Sequence, residues 1–425
     1  MTYRDVASKR VMVWACTAVG ARMPVAMAPL ALVFLVRERP GGYSLGAVLA
    51  AVYVIGEIVG APVLGMRLRP ERARAHLAVG LAAGAVGFAG LGALPGAHPA
   101  VLAAFAVVAG AAPAAATGGL RTLLTALVPE RAVAQAMSVE SMLTAGVWAL
   151  SPAAVAGLAL GVAPRVPLVL AAVLMACSVG GLRFLPAAWG GGDEREGGAS
   201  QLRVLAGAWP VYVMGAASLT LLGLSELVLP ALLEQRGIGV GWSGPLLAGM
   251  AVGGGLGAFA YGLRTWPGRL RTRSVVLMAG TAVCVAAAAL IPRTAGIAPV
   301  LVVGGALQSA AMLTRNLALR EALPPSALAA GYSVMYAAAG AGYAATGSLA
   351  GALLQVVAPS TAVLAGVGLT VALTGVGWWG EARRAAGSAQ GADTAVALGP
   401  AADGCGVLGP EGTAVRGRGD AERRL

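Results

Sequence analysis

Long apolar stretches separated by short polar punctuation organise this chain from end to end. Runs of roughly 20 apolar residues, the length an α-helix needs to cross a bilayer, recur twelve times. In the first half they fall at 11–36, 44–66, 76–95, 99–120, 136–161 and 164–186; in the second, at 206–233, 243–264, 274–292, 295–318, 327–356 and 358–380. The runs are too long and too unalternating for a barrel, and an open strand leaves backbone groups unbonded in lipid. The pattern predicts an all-α integral membrane protein: twelve transmembrane helices, six in each half.

The halves also repeat. Gly56, Gly60, Gly65 and Arg67 are spaced as Gly253, Gly257, Gly262 and Arg264 are, 197 residues later. Pro129, Ala132, Ala134 and Ser138 recur as Pro324, Ala327, Ala329 and Ser333, 195 residues later. Gly and Ala are abundant, so one match is cheap, but two at nearly the same offset point to duplication. The domains expected are a bundle over 1–186, a polar cytoplasmic linker over 187–205, a second bundle over 206–381 and a disordered tail over 382–425.

Composition sharpens this. Of the 425 residues 58% are hydrophobic and 11% charged, where a soluble domain is about a quarter charged. The net charge of +12 does not point to nucleic acid, because the arginines cluster between apolar runs. Arg67, Arg69, Arg72, Arg74, Arg121, Arg131, Arg264, Arg269, Arg271, Arg273, Arg315 and Arg320 lie in or beside one set of alternate loops, whereas the other set holds only Arg37, Arg39, Arg165, Arg236 and Arg293. The richer set belongs inside, which places both termini in the cytoplasm of a multi-pass plasma-membrane protein. Arg4, Lys9 and Arg10 precede a first run too long for a signal peptide, so it is expected to remain uncleaved. Cys16, Cys177, Cys284 and Cys405 have no disulfide or ligand spacing, and His76 and His98 lack partners for a metal. No phosphate-binding G-x4-G-K-[ST] loop occurs, so no cofactor and no ATPase chemistry are expected, and active transport has to draw on an ion gradient.

Charges inside the apolar runs are few. Arg22 sits about eleven residues into the first helix, roughly 16 Å deep at 1.5 Å per residue, and Glu57 is nearly as deep in the second. An Arg22–Glu57 contact would lower the cost of burying both. It either pins the two helices together, or it cycles: Glu57 exchanges a proton, or Arg22 receives an anionic group of the substrate. Glu226, four residues before Pro230, is either an interfacial carboxylate or part of the cavity wall. Glu140 opens the fifth helix and Arg121 closes the fourth, which suggests a cytoplasmic contact. Gln308 and Gln355 are expected to be interhelical hydrogen-bond partners. The glycine pairs 56/60 and 253/257 suit close helix packing, with the added possibility that these smooth faces slide against the opposite half.

The segments ARMPVAMAPLALVFLV, GAPVLGMRLRPERAR, AMSVESMLTAGVWALSPAAVAGL, GLSELVLPALLEQRG and GGGLGAFAYGLRTWPGRLRTR resemble the major facilitator superfamily, particularly efflux-type permeases of actinobacteria, over about residues 1–381. The family's G-x3-D-R-x-G-R-R loop is matched at Gly65, but Arg69 stands where Asp is expected and Pro70 where Arg is, with Glu71 as a displaced carboxylate. Ser151 before Pro152 stands where such relatives often have Gly before Pro. The resemblance implies the major facilitator fold, a monomer in the lipid bilayer, and alternating access with proton exchange. By position it implies a substrate cavity lined by Arg22, Met27, Glu57, Trp148, Glu226 and Tyr336. Gating and packing fall to Gly56, Gly60, Gly65, Arg67, Arg69, Glu71, Pro152, Gly253, Gly257, Gly262 and Arg264. The expected activity is proton-coupled efflux of a small amphipathic or apolar compound. An importer or facilitator of a small nutrient, or a non-transporting sensor or scaffold on a divergent transporter fold, are the alternatives.

Overall fold

The computed structural model describes residues 6, 8–187 and 198–397. Met1–Glu381 forms one compact unit and Ala382–Leu425 a second. In chain order the helices are α1 (Lys9–Val36), α2 (Gly42–Arg67), α3 (Ala73–Ala93), α4 (Pro99–Ala111), α5 (Ala115–Leu127), α6 (Val133–Gly161) and α7 (Val166–Leu182). There follow α8 (Gly198–Gly207), α9 (Trp209–Gln235), α10 (Ser243–Leu263), α11 (Leu270–Leu290), α12 (Thr294–Ala322), α13 (Leu328–Leu353) and α14 (Pro359–Ala397). Among the described residues ten segments are long and apolar enough to cross a membrane, with Pro99–Leu127 counted as one. Short α7 and α13, whose apolar content is diluted by Tyr, Ser, Thr and Gly, complete the expected twelve.

Proline and glycine set the local breaks. Pro113 has no N–H to give to the preceding turn, so the fourth span splits into α4 and α5 while Ala112 and Ala114 stay in the right-handed helical region. Gly41, at φ 67°, turns the chain from α1 into α2, a conformation costly for a residue with a Cβ. The fourth span runs on to Leu127, so Arg121 lies inside it and not at its end. Glu140 likewise stands a full two turns into α6. Gln355 lies in an exposed turn beyond α13.

The expected boundaries fail in two further places. Residues 198–205, expected to be linker, belong to α8, and residues 382–397, expected to be irregular tail, are helical within α14. The remaining linker residues 188–197, the tail from 398 and Cys405 lie outside the described residues.

In lipid, helices associate through close packing, because burying apolar surface gains little there. Gly56 and Gly60 face Val107 and Ala111 of α4, where a Cβ on Gly60 would sit 2.6 Å from the Ala111 carbonyl oxygen. Gly253 and Gly257 face Val302 and Ala306 of α12 in the same way. These pairs therefore weld α2 to α4 and α10 to α12 within each half and do not face the opposite half.

Across the halves, α2 and α5 pack on α13, and α6 packs on α10. The duplicated motifs meet crosswise. Ser333 packs against Gly65 and Gly118, where a Cβ on Gly65 would lie 2.6 Å from its Cβ. Its repeat mate Ser138 donates to the Ala258 carbonyl of α10. Arg121 and Asn316, 195 residues apart like the repeat itself, hydrogen-bond to each other at 3.1 Å. A residue that meets its own repeat mate marks a two-fold relation, here between parallel halves.

Candidate functional site

The cross-half contacts of Ser333, Ser138 and Arg121 fall toward one end of the bundle, the arginine-rich end bearing the loops 68–72, 128–132, 264–269 and 323–327. Nearest the edge, Arg320 of α12 makes a bidentate pair with Glu130, at 2.6 and 2.8 Å. Arg67, Arg69, Glu71 and Arg264 are exposed at this end, Arg69 giving its backbone N–H to His76 at 3.4 Å. Arg74 reaches the Leu185 carbonyl at 3.4 Å, tying α3 to the end of α7 within the first half.

Deeper lies a buried charge cluster. Glu140 of α6 is 1% exposed, and its Oε1 is 2.8 Å from Arg22 Nη2 of α1 and 2.6 Å from Arg121 Nη2 of α5. Arg121 also donates through Nε at 3.1 Å. Arg22 gives its Nη1 to Thr144 Oγ1 at 2.9 Å, one turn along α6 from Glu140, and its guanidinium lies 5.9 Å from the Trp14 ring centroid. Trp14 is itself held by a 2.7 Å bond to the Leu120 carbonyl. On its far side Arg121 stacks over Tyr332 at 5.4 Å and bonds Asn316, both from the second half. Two cations thus share one carboxylate, and burial forces the contact, because an unpaired charge in this setting is far costlier than a paired one.

The expected Arg22–Glu57 pair does not form. Arg22 turns toward α6, whereas half-buried Glu57 accepts a 2.8 Å hydrogen bond from Tyr336 of α13, its one hydrogen-bond partner among the described residues. The Glu140–Arg121 contact does form, but it is buried among three helices and not at a cytoplasmic edge. Glu226 accepts from Tyr343, also of α13, at 2.9 Å. Tyr332, Tyr336 and Tyr343 follow at four- and seven-residue spacing, so one face of α13 offers three phenols in succession.

Other candidates disperse. Met27 is fully buried in the packing of α1 and lines no accessible surface in this conformation, whereas Trp148 is 50% exposed on α6. Pro152 is exposed within an unbroken α6, where Ser151 bonds the Val147 carbonyl. Gln308 donates to the Ser218 hydroxyl and carbonyl, bracing α12 on α9. Cys16, Cys177 and Cys284 are free thiols. Among the described residues no group of His, Cys, Asp or Glu is placed to hold a metal ion.

Sequence reasoning missed Asn316, Tyr332 and Thr144. For Asn316 a signal existed, because it stands at the repeat offset from Arg121.

No protein-family profile and no curated protein sequence matches this chain. Solved structures do. The human organic anion transporter MFSD10 (TETRAN) superposes with a TM-score of 0.65 at 13% identity, over 87% of this chain and 98% of its own. An E. coli fucose:proton symporter, FucP, gives 0.64 at 15% identity, over 86% and 97%. A bacterial homologue of the iron transporter ferroportin in its outward-facing state gives 0.65 at 15%, over 86% and 97%. With twelve helical spans among the described residues, α4 and α5 counted as one, and a repeat that relates its two halves, this chain has the major facilitator fold.

Proposed function

We propose that this protein is a secondary active transporter that works by alternating access and exports a small amphipathic compound in exchange for protons. It acts as a monomer in the plasma membrane, with both termini in the cytoplasm, and performs no covalent chemistry. Side-chain contacts between the halves that run from the arginine-rich end inward to Glu57 and Tyr336 support a state closed toward the cytoplasm. Proteins of the same fold named as an organic anion transporter and a sugar:proton symporter are consistent with such a cycle.

The observation that carries the coupling is the Glu57–Tyr336 bond. Glu57 belongs to one half and its partner to the other, so rocking the halves apart breaks the bond, and protonating Glu57 changes what it offers Tyr336. A carboxylate in such a place links proton occupancy to conformation. Amphipathic cargo suits the site because charged groups are few and concentrated, whereas the surrounding helices present Ala, Gly, Val and Leu.

Proteoliposomes with an imposed pH gradient test this. Wild type is expected to move protons when substrate is supplied, and Glu57→Gln to move substrate without protons or not at all. Unchanged proton movement in Glu57→Gln sinks the coupling role.

A further inference from the structure

The cluster of Arg22, Arg121 and Glu140 is out of charge balance. Arg121 is fully engaged, with two bonds to Glu140, one to Asn316 and a tyrosine face beneath it. Arg22 is not. Its residue is 7% exposed, yet its Nε has no hydrogen-bond partner among the described residues, and its share of Glu140 is an oxygen that Arg121 already holds on two nitrogens. A buried guanidinium with an idle N–H and half a counter-ion is costly unless something else completes it.

We infer that Arg22 is the docking point for a single negative charge on the cargo, and that Glu140 occupies it when the site is empty. The inference rests on the transport reading and names its substrate class: a small amphipathic monocarboxylate. The charge follows from the cluster, whose net positive unit one carboxylate cancels. A planar carboxylate matches the Nε and Nη2 edge of a guanidinium bidentately. The apolar part follows from α6. Thr144, which holds Arg22 Nη1, is half-buried, and Trp148 lies one turn further along the same face with half its surface exposed. An apolar body against Trp148 therefore leads to the cation roughly 6 Å deeper, one helical turn away.

Occupancy also reaches the gate. A cargo carboxylate on Arg22 frees Glu140 to serve Arg121 alone, and Arg121 is the residue that bonds Asn316 across the halves. Binding and closure thereby share one carboxylate.

The test pairs 1-naphthoate, octanoate and salicylate with their neutral amides, using thermal shift of the purified full chain in detergent and counterflow in proteoliposomes. At least one carboxylate is expected to stabilise wild type and its amide is not. Arg22→Gln is expected to weaken carboxylate binding about 10- to 100-fold, as loss of a charge-assisted contact implies, with Arg22→Lys recovering part. Glu140→Gln, which removes the internal competitor, is expected to bind the carboxylate at least about fivefold more tightly, a gain that misfolding cannot mimic. Amides that bind as well as acids, no carboxylate binding at all, or wild-type affinity in Arg22→Gln overturn the inference. Carboxylate binding without proton-driven flux would instead overturn the transport reading and leave the anion site standing. Proton-driven flux of the amides alone would do the reverse.

Discussion

In the second half of the molecule, Arg315 meets Glu381 at 2.6 Å and is walled in by Ser274, the Leu270 carbonyl and the Met214 sulfur. In the first half, Arg121 has no such private partner: it divides Glu140 with Arg22 and leans across the interface onto Asn316 and Tyr332. Both sites bury an arginine at nearly corresponding points of the repeat. One is neutral, closed and confined to its own half. The other carries a surplus charge and touches the opposite half. A neutral pair confined to one half suits a brace, whereas a cluster with surplus charge at the interface of the halves can bind a counter-ion and sense motion.

The largest effects should come from removing the carboxylates. Glu140→Ala leaves two guanidinium groups buried together and is expected to cost about 3–5 kcal/mol. Glu381→Ala strands one that keeps Ser274 and the Leu270 carbonyl, and should fall near the low end of that range. Unfolding of both variants in detergent ranks them, and a larger loss in Glu381→Ala would erase the distinction.

Replacing each pair by apolar residues sharpens the contrast. Arg315→Met with Glu381→Leu is expected to change stability by about 1–4 kcal/mol in the favourable direction or not at all, with counterflow retained. Arg121→Met with Glu140→Leu should keep a comparable melting point and lose counterflow. Retained counterflow in the second double variant would reduce the first-half cluster to a brace as well.

The difference between these sites is only partly written in the chain. The spans were legible because lipid demands long apolar runs, and the duplication because close helix contacts demand Gly and Ser at fixed offsets. The apolar run of the fourth span ends at Arg121 because a charge interrupts it, and only the fold reveals that Glu140 offsets that charge. Arg22 was recognisable by depth, but depth does not specify the helix face. Glu57 and Glu140 lie at similar depths on α2 and α6, both of which pack on α1. The polar pair Glu140 and Thr144, one turn apart on α6, was the available hint that this face turned toward Arg22. The missing acid at Arg69 is a departure from the resembling family that the sequence shows, whereas the cross-half hydrogen bonds Glu130–Arg320, Arg121–Asn316 and Ser138–Ala258 at this end of the bundle join residues that no family motif marks.

The interface itself gives a middle-sized effect. Gly118 sits against Ser333 and the Ala329 carbonyl so closely that an added Cβ forces the backbone of α13 to move. Gly118→Ala is expected to cost about 1–3 kcal/mol of packing, borne only while the arginine-rich end is closed. Labelling of a cysteine introduced at Ala329 should therefore rise, reporting a population moved toward the state open at that end. Gly146→Ala, where an added Cβ meets open space, should leave labelling unchanged.

The smallest effect expected is at the rim, where the geometry looks strongest. Arg320 and Glu130 make two short bonds across the halves, yet Glu130 is 80% exposed, and exposed pairs contribute only about 0–1 kcal/mol and fade with salt. Glu130→Gln should then shift Ala329-cysteine labelling by no more than about fivefold, and 0.5 M salt should erase what difference remains. A shift matching that of Gly118→Ala, insensitive to salt, would mean that the rim pair holds the gate. Closure would then rest on an exposed ion pair, and the buried cluster of Arg121, Glu140 and Asn316 would be left to binding alone.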